Sequence, residues 1–204
     1  LEEYFPSVDY ILPSARYYSE LDGVAFQTED SEQPVRVALV PKTQKTPRII
    51  AIEPTCMQYA QQALMASLVS AVERDDLVSQ ITRFRDQTLN QRLAREGSIH
   101  RSLATLDLSE ASDRVSNELV QELFAYWPSL RGAVNACRSR TAELPNGNVL
   151  ELSKFASMGS ALTFPIEAMI FTILCLIGYE RAVDRRLLAS DVQSLVGMVC
   201  VYGA

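Results

Sequence analysis

The chain has few of the residues that common catalytic centres and disulfide frameworks need. Four cysteines are scattered singly over 204 residues, a spacing that disfavours disulfides or a zinc site and predicts reduced thiols. The single histidine, His100, has no nucleophile motif around it, so we predict a surface residue. The most apolar run, residues 168–177, is half the length of about 20 residues that a membrane span needs. It predicts a buried helix and no membrane partner.

The charge is unevenly distributed along the chain. The net charge of -6 disfavours a nucleic-acid partner, but residues 1–33 hold eight acids and one base. Residues 34–52 hold four bases and no acid. Because local fields decide whether a phosphate is attracted, the overall charge does not exclude a phosphate-bearing ligand.

The hydrophobic pattern predicts strands and helices that interleave without a regular βαβ repeat, which indicates an α+β fold. Predicted strands cover residues 35–40, 48–52, 104–107 and 195–202, with a hairpin turn at 144–148 that contains Asn-Gly. Predicted helices cover 56–73, most of 77–96, 117–126, 130–140 and 164–179. Residues 1–33 are predicted to be loosely structured, with a helical piece at 15–21.

The segment from Ala104 to Asp113 is the most informative one. Leu106 and Leu108 would share one face of a short strand, which leaves Asp107 on the other face. A carboxylate at a strand end, with Asp113 six residues further on, can hold a divalent cation beside a sugar hydroxyl. The alternative is that Asp113 only caps the helix that follows.

Three other segments have both a chemical and a plain interpretation. Lys42, Lys45 and Arg48 can track a triphosphate along an extended segment, or they form a solvated basic loop. Residues 84–98 offer arginines to phosphates and amides to base edges, or they form a solvent-facing helix. The small residues 157–160 let a backbone approach a ligand closely, or they simply begin a helix.

In order and spacing, these four segments resemble the replicase catalytic subunit of the single-stranded RNA bacteriophages, an RNA-dependent RNA polymerase. The resemblance covers roughly residues 35–204. It implies a right-hand polymerase fold with fingers and a partial palm, without the thumb. It assigns residues 34–100 to the fingers, 101–128 and 156–204 to the palm and 129–155 to an insertion, after an acidic segment at 1–33.

The resemblance also implies roles for individual residues. Asp107 would be the catalytic, metal-binding carboxylate. The nucleotide would be bound by Lys42, Lys45, Arg48, Asp113, Ser157, Gly159 and Thr163, and RNA would be bound by Arg85, Arg92 and Arg95. The implied cofactor is Mg²⁺, or Mn²⁺. The implied partners are RNA template, NTPs and host translation factors (elongation factors Tu and Ts, ribosomal protein S1), in the cytoplasm of an infected bacterium.

The sequence departs from the family pattern at two places. Tyr202-Gly203 is expected to lead into two aspartates, but Ala204 follows, so we expect this chain alone to be inactive. Ser160 stands where the phage enzymes tend to carry Asn. Two alternatives stay open, namely a reverse-transcriptase-like enzyme and a non-catalytic RNA-binding or assembly protein derived from a polymerase.

Overall fold

The computed structural model describes residues 3–5, 32–42 and 46–203 of the chain. Its elements are a mixture of helix and sheet, in agreement with the predicted α+β class. The chain divides into two units. The first comprises Leu1–Gln61 and Asn117–Ser160, and the second comprises Gln62–Ser116 and Ala161–Ala204. The predicted helical piece at 15–21 and Lys45 lie outside the described residues.

The first unit contains a four-stranded sheet in the order β2-β1-β4-β5, with strands numbered along the chain. Its strands are β1 (Val35–Pro41), β2 (Pro47–Ile52), β4 (Thr141–Glu143) and β5 (Val149–Glu151). β1 pairs antiparallel with β2 and parallel with β4, and β4 and β5 form the predicted Asn-Gly hairpin. Buried Val35, Ala51 and Ala142 form the core beneath the sheet, which follows from side chains alternating between its faces.

The helices of the first unit lie where the apolar spacing predicts them. α1 (Thr55–Arg74) begins in this unit and continues into the second, and it matches the predicted helix within one residue. α5 (Asn117–Leu123) begins where predicted and ends three residues before the predicted 126, and its residue Val120 is fully buried. α6 (Pro128–Ala136) begins and ends earlier than the predicted 130–140. Proline at the start of this helix explains the earlier beginning, since its missing N–H is not needed there.

The second unit is mostly helical. It contains α2 (Val78–Ile81), β3 (Thr82–Arg83), α3 (Thr88–His100), α4 (Ala111–Arg114), α7 (Thr163–Val183), α8 (Ala189–Ser194) and β6 (Val201–Tyr202). β3 pairs in parallel with β6. The hydroxyl of Thr172 donates to the carbonyl of Ala168. The Thr82 hydroxyl, whose oxygen lies 2.7 Å from that of Thr172, therefore donates to the Thr172 oxygen. No helix described in the structure is both long and apolar enough to cross a membrane.

The predicted helix over most of residues 77–96 is wrong in its first half. β3 interrupts it, because residues 82 and 83 pair with β6 instead of continuing a helix. Asp75 accepts hydrogen bonds from the backbone N–H groups of Leu77 and Val78 and so defines a separate short helix. Asp86 accepts from the N–H of Thr88 and marks the start of α3.

Two predicted strands are also wrong. Residues 102–108 have no regular secondary structure, and Leu106 and Leu108 are 81% and 53% exposed. A strand forms only where a neighbour pairs with its backbone, and no described strand pairs with this segment. In the run 195–202 only Val201–Tyr202 is a strand. Gly197, at a φ of +82°, turns the chain just before it.

Candidate active site

An open cavity of about 680 Å³ lies within the second unit. Its walls come from α3, from the irregular segment 103–108, from one side of α7 and from residues 198–203. Much of the lining is apolar, including Leu93, Phe171 and Met198. Among its lining residues, Asp107 and Glu167 are the ones with carboxylates, so any charge-based chemistry in this cavity depends on these two side chains.

Asp107 lines the cavity although its segment is not a strand. The chain then turns through Glu110, which has a left-handed φ of 54°, and enters the single helical turn α4. Asp113 is the third residue of α4, and its N–H donates to the carbonyl of Glu110.

Glu167 is a functional candidate that the sequence interpretation did not single out. It is 8% exposed on α7, and its Oε1 has no hydrogen-bond partner among the described residues. Burial, together with the negative charge of Asp113, raises the pKa of Glu167 from its ordinary value of 4.5 to about 7. The available signal was that Glu167 is the single charged residue between Lys154 and Glu180.

Tyr202 and Gly203 line the same cavity, and Gly203 packs on the first turns of α7. The N–H of Gly203 donates to the carbonyl of Arg83 at 3.0 Å, which extends the β3–β6 pairing by one residue. A Cβ at position 203 would lie 2.7 Å from that of Ala168 and 2.9 Å from the carbonyl oxygen of Phe164. Only glycine therefore permits this close approach of the last residues to α7.

In the first unit, the loop of small residues 157–160 lies against the basic hairpin, which is the β1–β2 pair with Lys42 and Arg48. The N–H of Ala51 donates to the carbonyl of Met158 at 2.9 Å, so the loop lies against β2. Gly159 has a φ of +129°, and a Cβ there would lie 2.0 Å from the carbonyl oxygen of Ala51. Ser157 is buried, whereas Arg48, three residues before Ala51 on β2, is exposed. Lys42, just after β1, is also exposed.

Arg138 holds the segment that leads into this loop, and the sequence interpretation missed it. Its Nε donates to the carbonyl of Phe155 at 2.9 Å, and its Nη2 donates to the carbonyls of Lys154 and Leu152. The side chain is 9% exposed. A guanidinium supplies its donors in a fixed planar fork, so Arg138 can satisfy several carbonyls at once, which an amine on a flexible stem does less well.

The remaining predicted residues are in the second unit. Thr163, the first residue of α7, is 2% exposed. Arg85, Arg92 and Arg95 are exposed, and the first two pair loosely with acids, Arg85 with Glu73 at 3.4 Å and Arg92 with Glu96 at 3.8 Å. Surface pairs of this kind contribute little stability, so these arginines can exchange their partners for phosphates.

Two carboxylates of the cavity could serve as ligands for one hard divalent cation. In the described ranges no group of three or more His, Cys, Asp or Glu side chains is placed to hold a metal. Magnesium, however, commonly takes one or two protein carboxylates and keeps water for its other positions. Asp107 and Glu167 line one cavity, and the unpartnered oxygen of Glu167 is a ready ligand.

A comparison with known families finds a match that covers most of the chain. The family model described as RNA replicase, beta-chain, matches residues 12–183. This chain belongs to the RNA replicase beta-chain family. The match confirms the resemblance found from the sequence.

Curated members of the replicase family are similar to this chain over part of their length. The RNA-directed RNA polymerase subunit beta of Enterobacteria phage SP is 39% identical over 75% of this chain and 25% of that protein. The protein of the same name from Escherichia virus Qbeta is 35% identical over 83% of this chain and 29% of that protein. The RNA-directed RNA polymerase beta chain of Escherichia phage MS2 is 38% identical over 66% and 23%. The chain thus spans about a quarter of the length of these relatives.

The region matched to the replicase family contains all the site residues predicted from the sequence, from Lys42 to Thr163. Glu167 and Arg138 also lie inside it, whereas Tyr202 and Gly203 lie beyond its last matched residue. The family match therefore covers Asp107 and Glu167 of the cavity. It also covers residues 157–160, the loop docked against Ala51.

Proposed function

We propose that this chain is part of an RNA-directed RNA polymerase that joins nucleotides on an RNA template during replication of a phage genome. The observation that carries the proposal is that Asp107, which lies inside the region matched to the replicase family, lines a cavity. The related phage proteins are RNA-directed RNA polymerase subunits, which supports this activity. In this proposal the chain contributes fingers and part of a palm of a right-hand polymerase.

The cavity of the second unit would hold the cation and the sugar. Asp107 would bind Mg²⁺ or Mn²⁺, and the bound cation would supply positive charge to the phosphate during nucleotidyl transfer. Asp113, close enough to Glu167 to raise its pKa, would accept a hydrogen bond from a ribose hydroxyl. Thr163 would help to shape the sugar site. Apolar lining residues such as Phe171 would restrict water.

Within the first unit, Lys42 and Arg48 would bind phosphate groups. Lys42 and Arg48 flank the end of the β1–β2 pair, where Val40 lies opposite Arg48, so both cations extend from one end of the sheet. We assign Lys45, outside the described residues, to the same role. The docked loop would offer Ser157 and the exposed backbone of Gly159 to the ligand.

The other expected partners follow from the resemblance and are proposed with it. Arg85, Arg92 and Arg95 would contact RNA phosphates. The holoenzyme would use NTPs and Mg²⁺ or Mn²⁺ and would act in the cytoplasm of an infected bacterium. Elongation factors Tu and Ts and ribosomal protein S1 would be its host partners.

A nucleotide-binding measurement on the 204-residue chain tests the proposal. We expect a fluorescent ATP analogue to bind in the presence of Mg²⁺ and to bind more weakly when Asp107 is changed to Asn. The triple change of Lys42, Lys45 and Arg48 to Ala should weaken binding roughly tenfold, because charge-assisted contacts to phosphate are lost. The loss should be larger at low salt, where screening is least.

The matched control is Arg131→Ala, which removes an exposed cation from α6 of the same unit. It should leave nucleotide affinity unchanged. Equal affinity in the parent chain and the triple variant would refute the phosphate role. Nucleotide binding without any dependence on Mg²⁺ or Asp107 would refute the catalytic assignment.

A second candidate is RNA binding without catalysis. The exposed arginines on α3, Arg92 and Arg95, favour it because they lie one helical turn apart on one surface. RNA affinity that falls on changing both to Ala, with no nucleotide binding under any condition, would identify this second function.

A further inference from the structure

Glu167 occupies a position that is unfavourable for a carboxylate without a partner. The side chain is 8% exposed, and one of its two oxygens has no hydrogen-bond donor among the described residues. A buried carboxylate that lacks donors loses the hydration it had in water and gains nothing in return. Such a group is normally compensated by a positive charge or by a ligand.

The surroundings of Glu167 add negative charge instead. The charge of Asp113 acts against the ionised form of Glu167, and Asp107 lines the same cavity. Neither an arginine nor a lysine is among the residues that line this cavity in the described structure. An arrangement of this kind attracts a cation from solution, because a bound cation relieves the repulsion and satisfies the unpartnered oxygen together.

We propose that Glu167 is a ligand for a divalent cation in the cavity that it shares with Asp107, in addition to Asp107 itself, the one metal-binding carboxylate expected from the sequence. Carboxylate oxygens suit hard cations such as Mg²⁺ and Mn²⁺, which take one or two carboxylates and complete their shell with water. A cavity of about 680 Å³ has room for the water ligands. The proposal rests on the proposed function only in its choice of cation.

Cation binding can be measured directly on this chain with Tb³⁺, a hard cation that prefers oxygen ligands and luminesces when a nearby tyrosine is excited. Tyr202 lines the cavity and provides that tyrosine. We expect Tb³⁺ luminescence from the parent chain, reversed by added Mn²⁺ or Mg²⁺. Glu167→Gln should weaken Tb³⁺ binding at least tenfold. Tyr202→Phe should reduce the luminescence while leaving Mn²⁺ affinity, measured by electron paramagnetic resonance, unchanged.

The matched control is Glu96→Gln, which removes an exposed carboxylate from α3 of the same unit and should not change the affinity. Circular dichroism of each variant checks folding, and Gln keeps the size of the replaced side chain. Parent-like Tb³⁺ affinity in Glu167→Gln, or full luminescence in Tyr202→Phe, would overturn the proposal. A parent chain that binds no cation would overturn it as well.

The outcome separates this inference from the polymerase proposal. If Asp107→Asn abolishes cation binding and Glu167→Gln does not, the role of Glu167 is wrong and the polymerase proposal stands. If Glu167→Gln abolishes cation binding but the parent chain binds no nucleotide, the cation site is correct and the polymerase assignment is refuted.

Discussion

Replacing Glu167 with Gln should stabilise the chain at neutral and alkaline pH when divalent cations are removed with EDTA. In the unfolded chain Glu167 ionises around pH 4.5, whereas in the folded chain burial and the charge of Asp113 raise its pKa to about 7. The folded state therefore binds the proton more tightly than the unfolded state. The free energy of unfolding of the parent chain must then fall as the pH rises from about 4.5 to about 7, and stay lowered above that.

The size of the effect follows from the pKa difference. A rise from 4.5 to about 7 corresponds to about 3 kcal/mol at most, at roughly 1.4 kcal/mol for each pH unit. The cavity is open to solvent, which screens part of the interaction, so we expect about 2 kcal/mol. Because Gln cannot ionise, the free energy of unfolding of the variant does not fall in this way as the pH rises. The advantage of Glu167→Gln over the parent chain should therefore be small at pH 4.5 and reach about 2 kcal/mol at pH 8.

Urea unfolding of both proteins at several pH values, followed by circular dichroism, measures this difference. Other acids titrate in the same range, but their contributions cancel when the two proteins are compared at each pH. Adding Mn²⁺ at pH 8 should stabilise the parent chain and not the variant, because a ligand that binds only the folded state stabilises it. An advantage of the variant that is the same at pH 4.5 and pH 8 would refute the assignment of a raised pKa to Glu167.

Two further predictions concern the loop of the first unit and its supports. Arg138→Met should destabilise the chain by about 3 kcal/mol, measured by urea unfolding, because three backbone carbonyls lose their donor, and Arg138→Lys should recover part of that loss. Gly159→Ala should destabilise the chain by more than about 2 kcal/mol, because the φ of Gly159 is +129° and the new Cβ would clash with the carbonyl oxygen of Ala51. Gly178→Ala, in open space on α7, should instead stabilise the chain by up to about 1 kcal/mol. Equal stability of the two glycine variants would contradict this explanation.

Elements that depend on local pattern were predictable from the sequence. Helix α1 follows from apolar residues on one face, and the hairpin between β4 and β5 follows from Asn146-Gly147, where Gly147 has a φ of +82°. These signals lie within a few residues of one another along the chain. They need no knowledge of distant contacts, which is why the structure agrees with them closely.

Elements that depend on pairing with a distant partner were not predictable. The alternation of Leu106 and Leu108 indicates a strand, but no strand pairs with this segment in the part of the chain that the structure describes. Residues 82–83 look helical in sequence and are a strand because they meet Val201–Tyr202, more than a hundred positions away. Local propensity predicts neither the missing strand nor the strand at 82–83, because a strand forms hydrogen bonds only when its partner strand is present.

The candidate site shows the same division between local and distant information. Asp107 could be picked out because a lone acid in an apolar stretch is visible in the sequence. Glu167 is equally alone in its apolar helix, yet the sequence does not reveal that one of its oxygens is buried without a donor. Burial and neighbouring charges are properties of the folded chain. The raised pKa of Glu167 could therefore be recognised only from the structure.

Arg138 has no role predicted from the sequence, yet it can position the docked loop, whose residues Ser157 and Gly159 have one. Arg138 fixes residues 152–155 through their carbonyls, and the chain continues from there into the loop that lies against Ala51 on β2. The strand that receives the loop also carries Arg48. A change at Arg138 is therefore transmitted through backbone contacts to both the loop and the strand of the basic hairpin. If Arg138 had only a packing role, Arg138→Lys would restore stability and nucleotide affinity in parallel. A positioning role instead requires nucleotide affinity to stay low in Arg138→Lys even where stability recovers, because the carbonyls would be satisfied without the planar geometry that sets the loop.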